Sequence, residues 1–75
     1  MINVFIHEGT FDNQVRLHDT KRPVVPRVGE TIFIRWPDRH ETRCEVLAVE
    51  YIIDVREGVE VSDETTGARV AVRLV

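Results

Sequence analysis

Within residues 42–55 the apolar side chains change sides. Cys44 and Val46 share one parity, whereas Val49, Tyr51 and Ile53 share the other. Successive residues of a strand point to opposite faces, so a strand that buries both sets needs one extra residue, a β-bulge, near Leu47-Ala48. A bulge bends and twists the strand, and a long bent strand serves both halves of a curled sheet. A helix over residues 46–53 is the competing fit, because VLAVEYII spaces its apolar residues partly for either period. Composition favours the strand: 25 of the 75 residues are Val, Ile or Thr, against three Leu and three Ala. β-branched side chains lose freedom in helices and pack well on pleated sheets.

The remainder of the chain divides into strand-sized pieces. Ile2, Val4 and Ile6 alternate with polar or aromatic residues up to Glu8-Gly9, and Val15 and Leu17 alternate in a short second strand. KRPVVPRVGE is a connector: Pro23 and Pro26 each lack a backbone donor, and Gly29 permits a turn closed to other residues. Residues 31–36 alternate again, with Ile32, Ile34 and Trp36 on one face and Thr31, Phe33 and Arg35 on the other. Pro37-Asp38 suits the two corners of a type I turn. Glu57-Gly58 and residues 62–67 read as turns with Val59 and Val61 pairing between them, and the chain ends with Val70, Val72 and Leu74 facing inward. The expected core is Ile2, Val4, Ile6, Leu17, Val28, Ile32, Ile34, Trp36, Val46, Val49, Tyr51, Val70, Val72 and Leu74.

A chain of 75 residues encloses one core, so residues 1–75 are expected to form a single all-β domain of five to six strands, a small barrel. VPRVGETIFI, a short turn and then RCEVLAVEY resemble the proline, valine, glycine, acid, strand, turn, bent-strand pattern of SH3-like small barrels, in particular short bacterial and phage proteins of unassigned function. The resemblance implies a fold and no chemistry. The acidic loop and aromatic row with which SH3 domains hold proline-rich peptides have no counterpart here.

One cysteine forms no internal disulfide, no run approaches the roughly 20 apolar residues of a membrane helix, and MINVFIHEG lacks a signal-peptide pattern. These features predict a cytoplasmic protein without membrane attachment. His7, His18, His40 and Cys44 contain no CxxC or HxxxH spacing, so no metal site and no cofactor are expected. Cys44 with His40 and Asp38 supplies the residue types of a nucleophilic site, but on a tight turn that implies no enclosing pocket. The chain is therefore read as a non-enzyme.

Two binding readings remain. The net charge of −3 conceals −2 in residues 1–15, +3 in residues 16–43 and −4 in residues 44–75. Within the basic third, Arg35, Arg39 and Arg43 surround Trp36, a combination with which small barrels hold single-stranded nucleic acid. Against it, Trp36 shares parity with the core, and the sequence pI is about 5.5. The favoured reading is contact with a protein partner or a second copy through Phe5, Phe33 and Leu47, which a chain this short has no second layer to cover.

Overall fold

The computed structural model describes the backbone of residues 1–75 and every side chain except those of Asn13 and Gln14. Seven strands follow one another without a helix: β1 (Ile2–Thr10), β2 (Asn13–Arg22), β3 (Thr31–Arg35), β4 (Glu41–Ile52), β5 (Asp54–Arg56), β6 (Val59–Val61) and β7 (Gly67–Leu74). Five of them form one curled sheet in the order β2-β1-β7-β4-β3, a half-barrel, while β5 and β6 form a separate hairpin. All neighbours in the large sheet are antiparallel except β1 and β7, the two ends of the chain, which run parallel at its centre.

The parity change in residues 42–55 is resolved as a bulge. Val46 pairs with Val72 and Ala48 with Ala71, leaving Leu47 as the extra residue. A second irregularity occurs across the sheet, where Ile6 pairs with His18 but His7 with Arg16, so that Leu17 is extra on β2. Both flank one row, Ala48–Ala71–His7–Arg16, and crease the sheet along it. Inside the curl, Val4, Ile6, Cys44, Val46, Ala68, Val70 and Val72 form the buried core, with Val25 from the connector closing one end. Ile2, Leu17, Ile32 and Val49 pack against it.

Three expected core residues lie outside. Val28 is 64%, Tyr51 62% and Leu74 48% exposed. Tyr51 and Leu74 have the inward parity but sit where their strands run past the opposing wall. Val28 belongs to a connector, where parity has no meaning, and Val25 is buried instead. Trp36 is partly buried rather than central.

The turns follow their chemistry. Arg39 N–H donates to the Trp36 carbonyl at 3.0 Å, closing the turn over Pro37-Asp38, and Arg39 takes φ +68° before β4 begins. Glu57 and Gly58 both have positive φ, as a two-residue hairpin matched to strand twist requires. The loop into β7 is held by Asn3, whose Nδ2 donates to the carbonyls of Asp63 and Thr66, both at 2.9 Å. Gly67 then passes so close to β1 that a Cβ would stand 2.2 Å from the Asn3 carbonyl oxygen.

Gly67→Ala is therefore expected to cost at least about 2 kcal/mol, adding a backbone clash to a positive φ. Gly29→Ala, with open space around its Cβ, should cost only the conformational penalty of about 1 kcal/mol. Urea unfolding followed by circular dichroism distinguishes the two, and equal losses would contradict the close approach.

Candidate binding groove

The outer face of the sheet carries Phe5 on β1, Phe33 on β3 and Leu47 at the β4 bulge. The register keeps them apart. Phe5 lies in the row Asp19–Phe5–Arg69–Glu50, while Phe33 pairs with Arg43 at the other end of β4 and three strand spacings away, about 14 Å across the sheet alone. Between them run two cross-strand ion pairs, Arg69 with Glu50 and Arg73 with Glu45, the second at 2.6 Å. The tip of the β1–β2 hairpin also folds back over this face, placing Phe11 against the Arg69 guanidinium at 5.3 Å. Part of the face expected to be bare is thus covered by charge pairs and by the chain itself. Phe33 and Leu47 are each 43% exposed.

Phe33 instead joins the cations. The guanidinium carbon of Arg43 lies 5.1 Å from its ring centroid and that of Arg35 lies 5.8 Å away, an arrangement produced by alternation along β3 and cross-strand pairing onto β4. Arg35 also pairs loosely with Glu41 at 3.7 Å. Arg39, at the exposed turn, stands outside this cluster. Trp36 is turned the other way: its Nε1–H donates to Thr42 Oγ1 at 2.9 Å, and His18 of β2 meets its ring edge-to-face at 5.8 Å.

That His18–Trp36 contact spans the open side of the half-barrel. β2 and β3 are the two edges of the sheet and do not pair with each other. Between them lies a groove of about 610 Å³ with Val4 and Ile6 at its floor, His18, Thr20 and Arg22 along the β2 side, and Ile32, Ile34 and Arg35 along β3. The Val24-Val25-Pro26 stretch bounds one end. Glu30 is the single carboxylate lining the groove among the described residues, and its Oε1 already accepts from the Arg27 backbone N–H.

The hydrogen bonds of the β3–β4 ladder show which backbone groups face the groove. Trp36 N–H donates to the His40 carbonyl at 2.8 Å, and Val46 N–H donates to the Glu30 carbonyl at 2.9 Å. Antiparallel ladders alternate, so the even-numbered residues of β3 bond to β4 while the N–H and C=O groups of Thr31, Phe33 and Arg35 point into the opening. Main-chain donors and acceptors thus line the β3 rim above an apolar floor. Sequence reasoning missed this groove, although Pro23 and Pro26 carried a signal: a connector with two prolines does not fold into the tight turn that would pair β2 with β3.

The remaining chemistry-bearing residues are dispersed. Cys44 is completely buried, and burial together with the Glu8 charge pushes its thiol pKa up. Asp38 and His40 stay on the exposed turn, where His40 N–H donates to Asp38 Oδ1. No group of three or more His, Cys, Asp or Glu that could hold a metal ion comes together among the described residues, and no helix is long and apolar enough to cross a membrane.

His7 sits in the crease, nine-tenths buried, and its Nδ1 lacks a hydrogen-bond partner among the described residues. Burial first, then the Arg16 and Arg69 charges, hold its imidazole below the ordinary 6.5, with Asp19 opposing.

Because the folded state resists protonating His7 while the unfolded chain accepts the proton near pH 6.5, stability present above that pH is expected to fall as the solution is acidified below it. Melting temperatures between pH 7.5 and 5 should drop less steeply in His7→Gln, and an unchanged slope would contradict the assignment. Cys44 should react with a thiol reagent at least about a hundredfold more slowly in the folded protein than in denaturant, since the thiol is reached only through opening. Comparison with known protein families, characterised proteins and solved structures finds no match to this chain.

Proposed function

We propose that the chain is a non-enzymatic binding module that acts through protein–protein contacts, taking an extended segment of its partner into the open side of the half-barrel. The observation that carries this reading is the pair of unpaired strand edges facing each other across an apolar floor. An added strand would bond to the seam-facing groups of Thr31, Phe33 and Arg35, and its inward side chains would lie on the partly exposed Ile32 and Ile34. β3 spans five residues, so a segment of about five residues, on the order of 17 Å long, matches its rim. Arg22 and Arg35 on the two rims favour acidic residues in that segment.

The Arg35–Phe33–Arg43 cluster favours a second reading, single-stranded nucleic acid held by stacking and phosphate contacts. The formal charge of −3 opposes it, as do the acidic partners of Arg35, Arg69 and Arg73.

A random peptide display library panned on the protein tests the choice. Peptides that alternate apolar and acidic residues are expected to be enriched. Binding should weaken about tenfold in Thr31→Pro, which deletes one seam-facing donor and no bond to β4, and in Arg35→Glu. Leu47→Asp, on the outer face, should leave it unchanged. Binding lost in Leu47→Asp and kept in Thr31→Pro would move the site to the outer face. A labelled single-stranded DNA that binds, and that is released by salt and by Arg43→Glu, would replace the protein reading with the nucleic-acid one.

A further inference from the structure

The β5–β6 hairpin is the least explained part of the molecule. It pairs with no strand of the large sheet, and a two-stranded hairpin alone is marginally stable in water. Its apolar residues are spread on its surface: Ile53, Val55 and Val59 are exposed, as is Tyr51 where β4 leads into it. The molecule measures 45 × 25 × 19 Å, elongated for a chain of this size. Among the described residues these side chains stay more than half exposed, whereas large apolar side chains are usually buried.

The charge of this arm is one-sided. Within the hairpin Asp54, Glu57 and Glu60 stand against Arg56 alone, a net charge of −2, with Asp63 and Glu64 following in the loop that leads to β7, and the arginine is already bound to Asp54 at 2.8 Å. Two such arms laid together would repel one another. The groove between β2 and β3 has the opposite character. Arg22 has no acidic partner among the described residues, Arg35 has only the loose contact to Glu41, and Arg27 follows on the connector. One surface thus offers unpaired strand edges, exposed valines and surplus acid, while the other offers unpaired strand edges, an apolar floor and surplus arginine.

We infer that the occupant of the groove is the β5–β6 arm of a second copy of this chain, an inference that rests on the binding reading above and names its partner. β6 adds to the open edge of β3, Val59 and Val61 on one of its faces meet the groove, and Glu57 and Glu60 face Arg22 and Arg35. Reciprocal exchange gives a closed dimer with two identical contacts, whereas one-way insertion gives a chain of copies. The arm would then be stabilised by the sheet it completes.

Sedimentation of the full chain over a concentration series tests this, with circular dichroism confirming the fold of each variant. Wild type is expected to associate. Glu57→Lys with Glu60→Lys, and separately Arg22→Glu with Arg35→Glu, should each weaken association at least about tenfold. A chain carrying all four changes should return to within about threefold of wild type, and an equimolar mixture of the two double variants should associate although neither does alone. Thr31→Pro, which leaves the charges intact, should also weaken association. Wild type that stays monomeric at about 1 mM, or association indifferent to both charge reversals, overturns the inference. So does association strengthened by reversing the arm alone, which would indicate arm-to-arm pairing. A monomeric wild type that still binds selected peptides in a manner sensitive to Thr31→Pro would remove this inference and leave the binding module standing. Self-association indifferent to Thr31→Pro, with peptides that also ignore it, would remove both.

Discussion

The crease along Ala48–Ala71–His7–Arg16 sets the curvature from which the shared core and the open edges follow. Leu47 on one side of the sheet and Leu17 on the other each add one residue beside this row. Two bulges flanking one row bend both halves in the same place, and the bend lets Val4 and Ile6 of β1 share a core with Cys44 and Val46 of β4. A flat version of the same strands would leave one apolar face to water. His7 is buried in this row beside Ala71, with an Nδ1 that has no hydrogen-bond partner among the described residues.

Curvature without closure has a consequence for binding. The two ends of the chain pair in parallel at the centre of the sheet, which puts β2 and β3 at its margins and commits their inner edges to no neighbour. A side-chain contact, His18 against Trp36, spans the gap where a ladder would have closed a full barrel. Elsewhere the sheet is well defended: cross-strand ion pairs cover the outer face around β7, and the hairpin tip folds over Arg69. Unsatisfied main-chain groups and apolar surface therefore meet at the seam and at the projecting arm, and the two carry opposite charge.

Much of this was written into local sequence. The parity change from Val46 to Val49 located the bulge, Pro37-Asp38 and Glu57-Gly58 located hairpin turns, and the alternation of Phe33 with Arg35 put those side chains on one face. Parity assigns a side but not an opposite wall. Tyr51 and Leu74 follow the inward alternation and nevertheless reach water. In the Pro23-Val24-Val25-Pro26 stretch no period distinguishes the two valines, and only Val25 enters the core. The groove was harder to read, since it depends on which strands become edges. That follows from the pairing of residues 4–8 with residues 68–72, a contact between opposite ends of the chain that no short window encodes. Arg35 and Arg43 stood out as cations beside an aromatic residue, whereas Arg22 acquired meaning only once β2 proved to be an edge.

The sheet stays open between β2 and β3, and amide hydrogen exchange followed by nuclear magnetic resonance in dilute, monomeric solution can check this residue by residue. The alternation of the β3–β4 ladder requires slow exchange at Ile32 and Ile34 and fast exchange at Phe33 and Arg35, whose N–H groups face the opening. The expected result is that contrast between adjacent residues of one short strand. Uniform protection along residues 31–35 of the monomer would mean that β3 is bonded on both sides, which would contradict an open half-barrel and the groove between its edges.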